Sequence, residues 1–262
     1  MTDNPNSRLL SYFAWVLVLS IPFFVWGVVA PVRGLPFGLP ATSTMIILPA
    51  LVATFLTRDE LGVTAAWQMW RRVGDVSRAK PIWLITAAAI MPAVSILAFF
   101  LMRAMGLPLP PVISIAWPKV PLMISVYFVG AVFEEIGWTG YATSRMAPQF
   151  GVVLTGLLIG IVWAAWHVIP WWLGQGHAVA WVIGQSALTV LMRIVMVWIY
   201  SQGGQSLFTI IVFHAMINTS YSVFPNNGSH YNPTVVLLPM VLLVAIIAFW
   251  SRRHSRTPIQ VS

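Results

Sequence analysis

Long apolar runs punctuated by short polar stretches dominate the chain, at about 9–30, 41–56, 81–105, 120–143, 151–173, 179–200, 207–224 and 234–250. None shows the two-residue alternation of a half-buried strand, and most are too long for a buried strand. A helix crossing ~30 Å of hydrocarbon needs about 20 mostly apolar residues. The pattern therefore predicts an all-α polytopic transmembrane helical bundle of about eight spans. The second run and the last two are short, so seven spans are also compatible. The first run is too long for a signal-peptide core and lacks a small-residue cleavage site, which makes it a retained span. The short loops leave no room for a soluble domain. Residues 1–262 are read as a single integral membrane domain.

The polar stretches carry the orientation. The loop 57–80 holds Arg58, Arg71, Arg72, Arg78 and Lys80, and the tail holds Arg252, Arg253 and Arg256. Lys and Arg gather on the cytoplasmic side. Eight spans place both clusters inside together with Arg8, Arg145 and Arg193, eleven in all, against Arg33, Arg103 and Lys119 outside. Both termini are thus expected in the cytoplasm, and the chain in the cell (inner) membrane as a multi-pass protein. Within the basic loop Val63, Ala66, Trp67, Trp70 and Val73 recur at helical spacing, with Arg71, Arg72 and Gln68 elsewhere on the wheel. That pattern suits a helix in the membrane interface or one packed on the bundle. Gly156 and Gly160 form a GxxxG pair that permits close helix packing. Tryptophans such as Trp171, Trp172 and Trp181 are expected at headgroup level or in the core.

Composition sharpens this picture. The chain is 59% hydrophobic and 8% charged, against about 25% charged residues in soluble domains. Lipid is the expected solvent and partner. The net charge of +8 would suggest nucleic acid in a soluble protein, but here the cations lie mostly between apolar spans, so no nucleic-acid partner is expected. The chain has no cysteine, which removes disulfides, thiolate metal sites and a cysteine nucleophile.

Inside the spans polar chemistry is scarce. Of six acids, Asp3, Asp59, Glu60 and Asp75 lie in the tail or basic loop, leaving Glu134 and Glu135 embedded. His177, His230 and His254 fall in loops or the tail, leaving His167 and His214 embedded. A charge at the bilayer centre costs ~2.5–3.5 kcal/mol on insertion scales, and such residues face a protein interior or a wet cavity. Adjacent helix positions differ by ~100°, so one glutamate can face a site while its neighbour orients it or bonds another helix. A buried carboxylate also suits a general base. His214 and Asn218 share a helix face and can converge on one water, substrate oxygen or metal. No aspartate lies in a span, and no rhomboid-type GxSG serine motif, HExxH, P-loop or dinucleotide fingerprint occurs. What survives is glutamate plus histidine.

At these residues the chain resembles the CAAX protease and bacteriocin-processing family, also called Abi, which includes the type II CAAX prenyl endopeptidases. That family carries a double glutamate followed by arginine, then Phe-or-Trp-xxx-His, then His-xxx-Asn, on three membrane helices. Here Glu134-Glu135-Ile-Gly-Trp138-Thr139-Gly140-Tyr141, Trp163-Ala-Ala-Trp166-His167 and His214-Ala-Met-Ile-Asn218 are similar to those motifs, within a core of about 120–224. The motif arginine, four residues after the second glutamate, is Thr139 here, and Arg145 matches a further arginine downstream. Arg193 is a hypothetical substitute from another helix.

The resemblance implies intramembrane hydrolysis of a peptide bond in a hydrophobic or membrane-associated peptide. Glu134 would activate water, assisted by His167, while His214 and Asn218 would stabilise the oxyanion. The sequence allows Zn²⁺ on His167, His214 and Glu134, and a metal-free glutamate mechanism fits equally well. Two other classes remain: a non-catalytic immunity or scaffold protein of the same fold, which Thr139 favours, and a proton-coupled transporter, which also uses embedded Glu and His.

Overall fold

A computed structural model describes residues 5–29 and 41–254. Among them the structure is helical and contains no strand. Arg33, Arg256 and Asp3 lie outside the described residues. The helices are α1 (Pro5–Val29), α2 (Leu48–Leu61), α3 (Val63–Arg71), α4 (Pro81–Ala104), α5 (Val120–Glu135), α6 (Ser144–Ile169), α7 (Val179–Gln202), α8 (Leu207–Val223) and α9 (Pro233–His254). A 3₁₀ stretch Ala41–Ile47 leads into α2.

Five helical tracts are long and apolar enough to cross a membrane: Ser7–Val29, Pro81–Ala104, Trp117–Gly174, Val179–Gln202 and Pro233–Arg253. Leu207–Val223 is shorter. The third tract holds two of the expected spans, because Gly151 (φ 70) interrupts the helix inside α6. These tracts follow the apolar runs closely, and the chain is an integral, multi-pass helical membrane protein. A helix satisfies its own backbone polar groups where lipid offers no partners, which is why these runs fold this way.

Large side chains cover the bundle's lipid side, for example Trp15, Phe55, Ile85, Val129, Ile183 and Leu242, all exposed. Its core contains Tyr12, Trp138, Trp166, Met196, Ile210 and Phe213. α6 packs along most of α7, and α5 along α8. The Gly156/Gly160 pair makes the first contact possible: a Cβ on Gly156 would sit 2.5 Å from the Cα of Ile194, and one on Gly160 2.9 Å from the Cα of Val190. The GxxxG pair therefore serves packing between two helices of the same chain.

The basic-loop helix exists and packs on the bundle. Ala66 and Met69 are buried, and Trp70 Nε1 donates to Thr54 Oγ1 at 2.9 Å. Val63 and Trp67 project outward, 65% and 64% exposed. Val73 falls beyond the end of α3. In the loop that follows, the Ser77 hydroxyl and amide bond Asp75, which holds that carboxyl below its usual range, with Arg78 also contributing.

At one end of the bundle Arg8 pairs with Asp59, and Arg145 with Glu60, each at 3.0 Å. The structure thus gathers the N-terminal, loop and α6 cations on one side. Arg193 does not belong with them. It is fully buried, a correction to its placement among the cytoplasmic charges: its position near a helix end did not reveal that its side chain turns into the core.

Candidate active site

Two widened helical segments border the embedded polar residues. Directly after Glu135 the helix opens into a π segment, Ile136–Thr143, and shortly after His167 another runs over Pro170–Gly174. π segments are rare and concentrate at functional sites. Widening shifts backbone partners, and side chains take up the carbonyls: Thr143 Oγ1 donates to Trp138 O at 2.8 Å and Ser144 Oγ to Gly140 O at 2.7 Å. Arg72, just beyond α3, reaches Gly140 O at 3.5 Å and also donates to the Tyr200 hydroxyl.

The two glutamates at the end of α5 face different neighbours, as their ~100° offset requires. Glu134 Oε2 accepts from Trp163 Nε1 on α6 at 2.9 Å. Glu135 is completely buried. Its Oε2 accepts from Arg193 Nη1 on α7 at 2.8 Å, and its Oε1 from Arg193 Nη2 at 3.1 Å. Thr139 Oγ1 donates to Oε2, and His214 Nδ1 on α8 donates to Oε1 at 2.8 Å. A carboxylate clamped by a guanidinium only accepts, so the His214 proton sits on Nδ1. Nε2 is left for other work.

His167, half-buried, donates from Nδ1 to Trp163 O at 2.8 Å, again leaving Nε2 free of protein partners among the described residues. Its ring stacks on Trp171 at 5.0 Å. Asn218 lies one turn beyond His214, half-buried, with no side-chain hydrogen bond among the described residues.

Trp163 is the hub. Its indole N–H holds Glu134 and its carbonyl holds His167. Its ring lies 4.2 Å from Arg193 Cζ and 5.3 Å from the His214 ring. Thus Glu134, Glu135, His167 and His214, from three sequence-distant helices, meet around one tryptophan, and Asn218 follows on the His214 face. In the motif Trp163 fills the aromatic position alone. Its role as a donor was legible in one respect, since tryptophan offers an N–H where phenylalanine does not. Arg193 also left a signal, being a cation within an apolar span.

A metal needs converging ligands. Among the described residues no three His, Asp or Glu side chains form such a group. Glu135 and Trp163 already engage one nitrogen of each histidine, and Trp163 engages one oxygen of Glu134. These bonds leave Nε2 of each histidine and Oε1 of Glu134 without a protein partner among the described residues, so each side chain keeps one atom able to ligate.

A family model described as type II CAAX prenyl endopeptidase Rce1-like matches residues 116–220, the stretch holding all three motifs. CAAX prenyl protease 2 of Methanococcus maripaludis is 26% identical over 192 residues, covering 66% of this chain and 70% of that protein. With the glutamates and histidines of the three motifs meeting in one buried cluster, this membrane chain is similar to the type II CAAX prenyl endopeptidases over the stretch that holds those motifs.

Proposed function

We propose that the chain is an intramembrane endopeptidase that hydrolyses a peptide bond in a hydrophobic or membrane-associated peptide, with water activated by Glu134. The supporting observation is the division of labour between the two glutamates. Glu135 is saturated by Arg193, Thr139 and His214, whereas Glu134 has one protein donor, to Oε2. Glu134 Oε1 is the free base.

In this mechanism Glu134 takes a proton from water as the oxygen attacks the scissile carbonyl, and later gives it to the leaving amine. His167 Nε2 accepts a hydrogen bond from the same water and aligns it. The developing oxyanion is met by the Asn218 amide N–H, beside the His214 ring that Glu135 orients through Nδ1 at 2.8 Å. The products are a free carboxylate and a free amine. Preorganised donors of this kind contribute ~2.7–4 kcal/mol each to transition-state stability.

The relative named CAAX prenyl protease 2 makes a C-terminal prenylated peptide a substrate class to try first, beside unmodified membrane-associated peptides. Thr139 does not argue for an inactive protein, because Glu135 still has an arginine partner. The deciding experiment is terminal proteomics on membranes carrying the native chain or Glu134→Gln. New termini present only with the native chain are expected, and identical termini in both would refute proteolysis.

A further inference from the structure

Thr139 stands where the family motif places arginine, yet Glu135 is not left without a cation. The Arg193 guanidinium meets both carboxylate oxygens at 2.8 and 3.1 Å, and neither residue has measurable exposure. Thr139 joins the cluster through its hydroxyl, donating to Glu135 and lying 3.4 Å from Arg193 Nη1. We infer that Arg193 is the positioning residue of this site: it replaces the motif arginine from a different helix, and through Glu135 it sets the orientation and tautomer of His214. This inference rests on the proteolytic reading for its kinetic consequences, though the ion pair itself does not.

Three features support the relocation. A fork-shaped guanidinium matches a carboxylate bidentately, which lysine cannot. A small threonine at 139 leaves room for a guanidinium arriving from α7, whereas an arginine there would compete for the same oxygens. The seating of α7 is also special. A Cβ on Gly160 would lie 3.3 Å from Arg193 Cβ, so the GxxxG pair of α6 brings the Arg193 backbone close behind the Trp163 face, where its guanidinium lies 4.2 Å from the indole. One tryptophan therefore contacts both the cation that holds Glu135 and, through its N–H, the base Glu134.

The test uses the full-length protein in detergent or reconstituted vesicles. Arg193→Gln, Arg193→Lys, Thr139→Arg and the exchange Thr139→Arg/Arg193→Thr are compared with the native chain, measuring kcat and KM per folded molecule and thermal unfolding. Arg193→Gln should lower kcat on the order of tenfold to a hundredfold while KM moves less than about twofold, as expected for supporting partners. Arg193→Lys should recover part of that loss. Thr139→Arg alone buries a second cation and should be worse than the exchange, which returns the arginine to the helix of Glu135 and recovers both kcat and melting temperature.

A wild-type kcat per folded molecule in Arg193→Gln, or an exchange variant no better than Thr139→Arg, overturns the inference. If the native chain cleaves no peptide at all, the proteolytic reading fails by itself. The melting series then still decides the pair: a drop in Arg193→Gln restored by the exchange upholds it, and an unchanged melting temperature refutes it.

Discussion

Trp163 shows how much one side chain decides. Its N–H is the only described protein donor to Glu134, at 2.9 Å, and a hydrogen bond to a charged acceptor contributes roughly 1.5–3 kcal/mol. Trp163→Phe keeps the ring beside Arg193 and His214 but removes that donor. If Glu134 is the base, kcat/KM should fall about tenfold to a hundredfold with the fold retained, as read by peptide cleavage and circular dichroism. Unchanged kinetics would mean that the carboxylate is held by something else. Glu135 behaves differently. Because it is buried and paired, Glu135→Gln removes the carboxylate charge that compensates the Arg193 guanidinium, and breaking a buried pair costs about 3–5 kcal/mol. The melting temperature should drop as well as the activity.

At the scale of elements, α6 and α7 carry the argument. Any side chain at Gly156 or Gly160 meets backbone of α7 at 2.5–2.9 Å, and rigid backbone cannot swing aside as a flexible side chain can. Gly160→Leu should separate the helices, destabilise the protein by at least the ~1–3 kcal/mol of an overpacked core, and pull Arg193 from Glu135. Loss of cleavage together with a lowered melting temperature is expected; a native melting curve would show that the contact is not tight. α3 has its own consequence. Arg72 ties the basic loop to Gly140 O in the π segment and to Tyr200. Arg72→Ala should therefore increase hydrogen exchange in 136–143 without unfolding α5.

For the whole molecule the open matter is direction. Arg8–Asp59 and Arg145–Glu60 gather the start of α1, the end of α2 and the start of α6 at one end, and we propose from the excess of Lys and Arg in these segments that this end faces the cytoplasm. The absence of cysteine makes this simple to measure. Single cysteines at Val112 and Arg253, both exposed, are expected to react with an impermeant maleimide from opposite sides in whole cells: Val112→Cys without lysis, Arg253→Cys only after it. The reverse pattern would invert the topology.

Much of this protein was readable in the linear chain. Apolar runs near 20 residues have one stable form in lipid, because only a helix satisfies its backbone internally, so the tracts and the multi-pass class followed directly. The same reasoning singled out Glu134, Glu135, His167 and His214, since ionisable groups in hydrocarbon are too costly to be incidental. Other features depend on which way side chains turn once helices pack, and no periodicity encodes that. Arg193, readable both as a helix-end cation and as a hypothetical substitute for the motif arginine, turns inward to Glu135, and only the packing of α7 decides between the two. Trp163, readable as an aromatic spacer, became the donor and wall shared by three motifs. The π segments beside the glutamates and after His167 have no signature in the apolar periodicity; in the first, the carbonyls of Trp138 and Gly140 are taken up by Thr143, Ser144 and, from the basic loop, Arg72. Local sequence sets the cost of burying a charge; only the assembled bundle chooses the partner that offsets it.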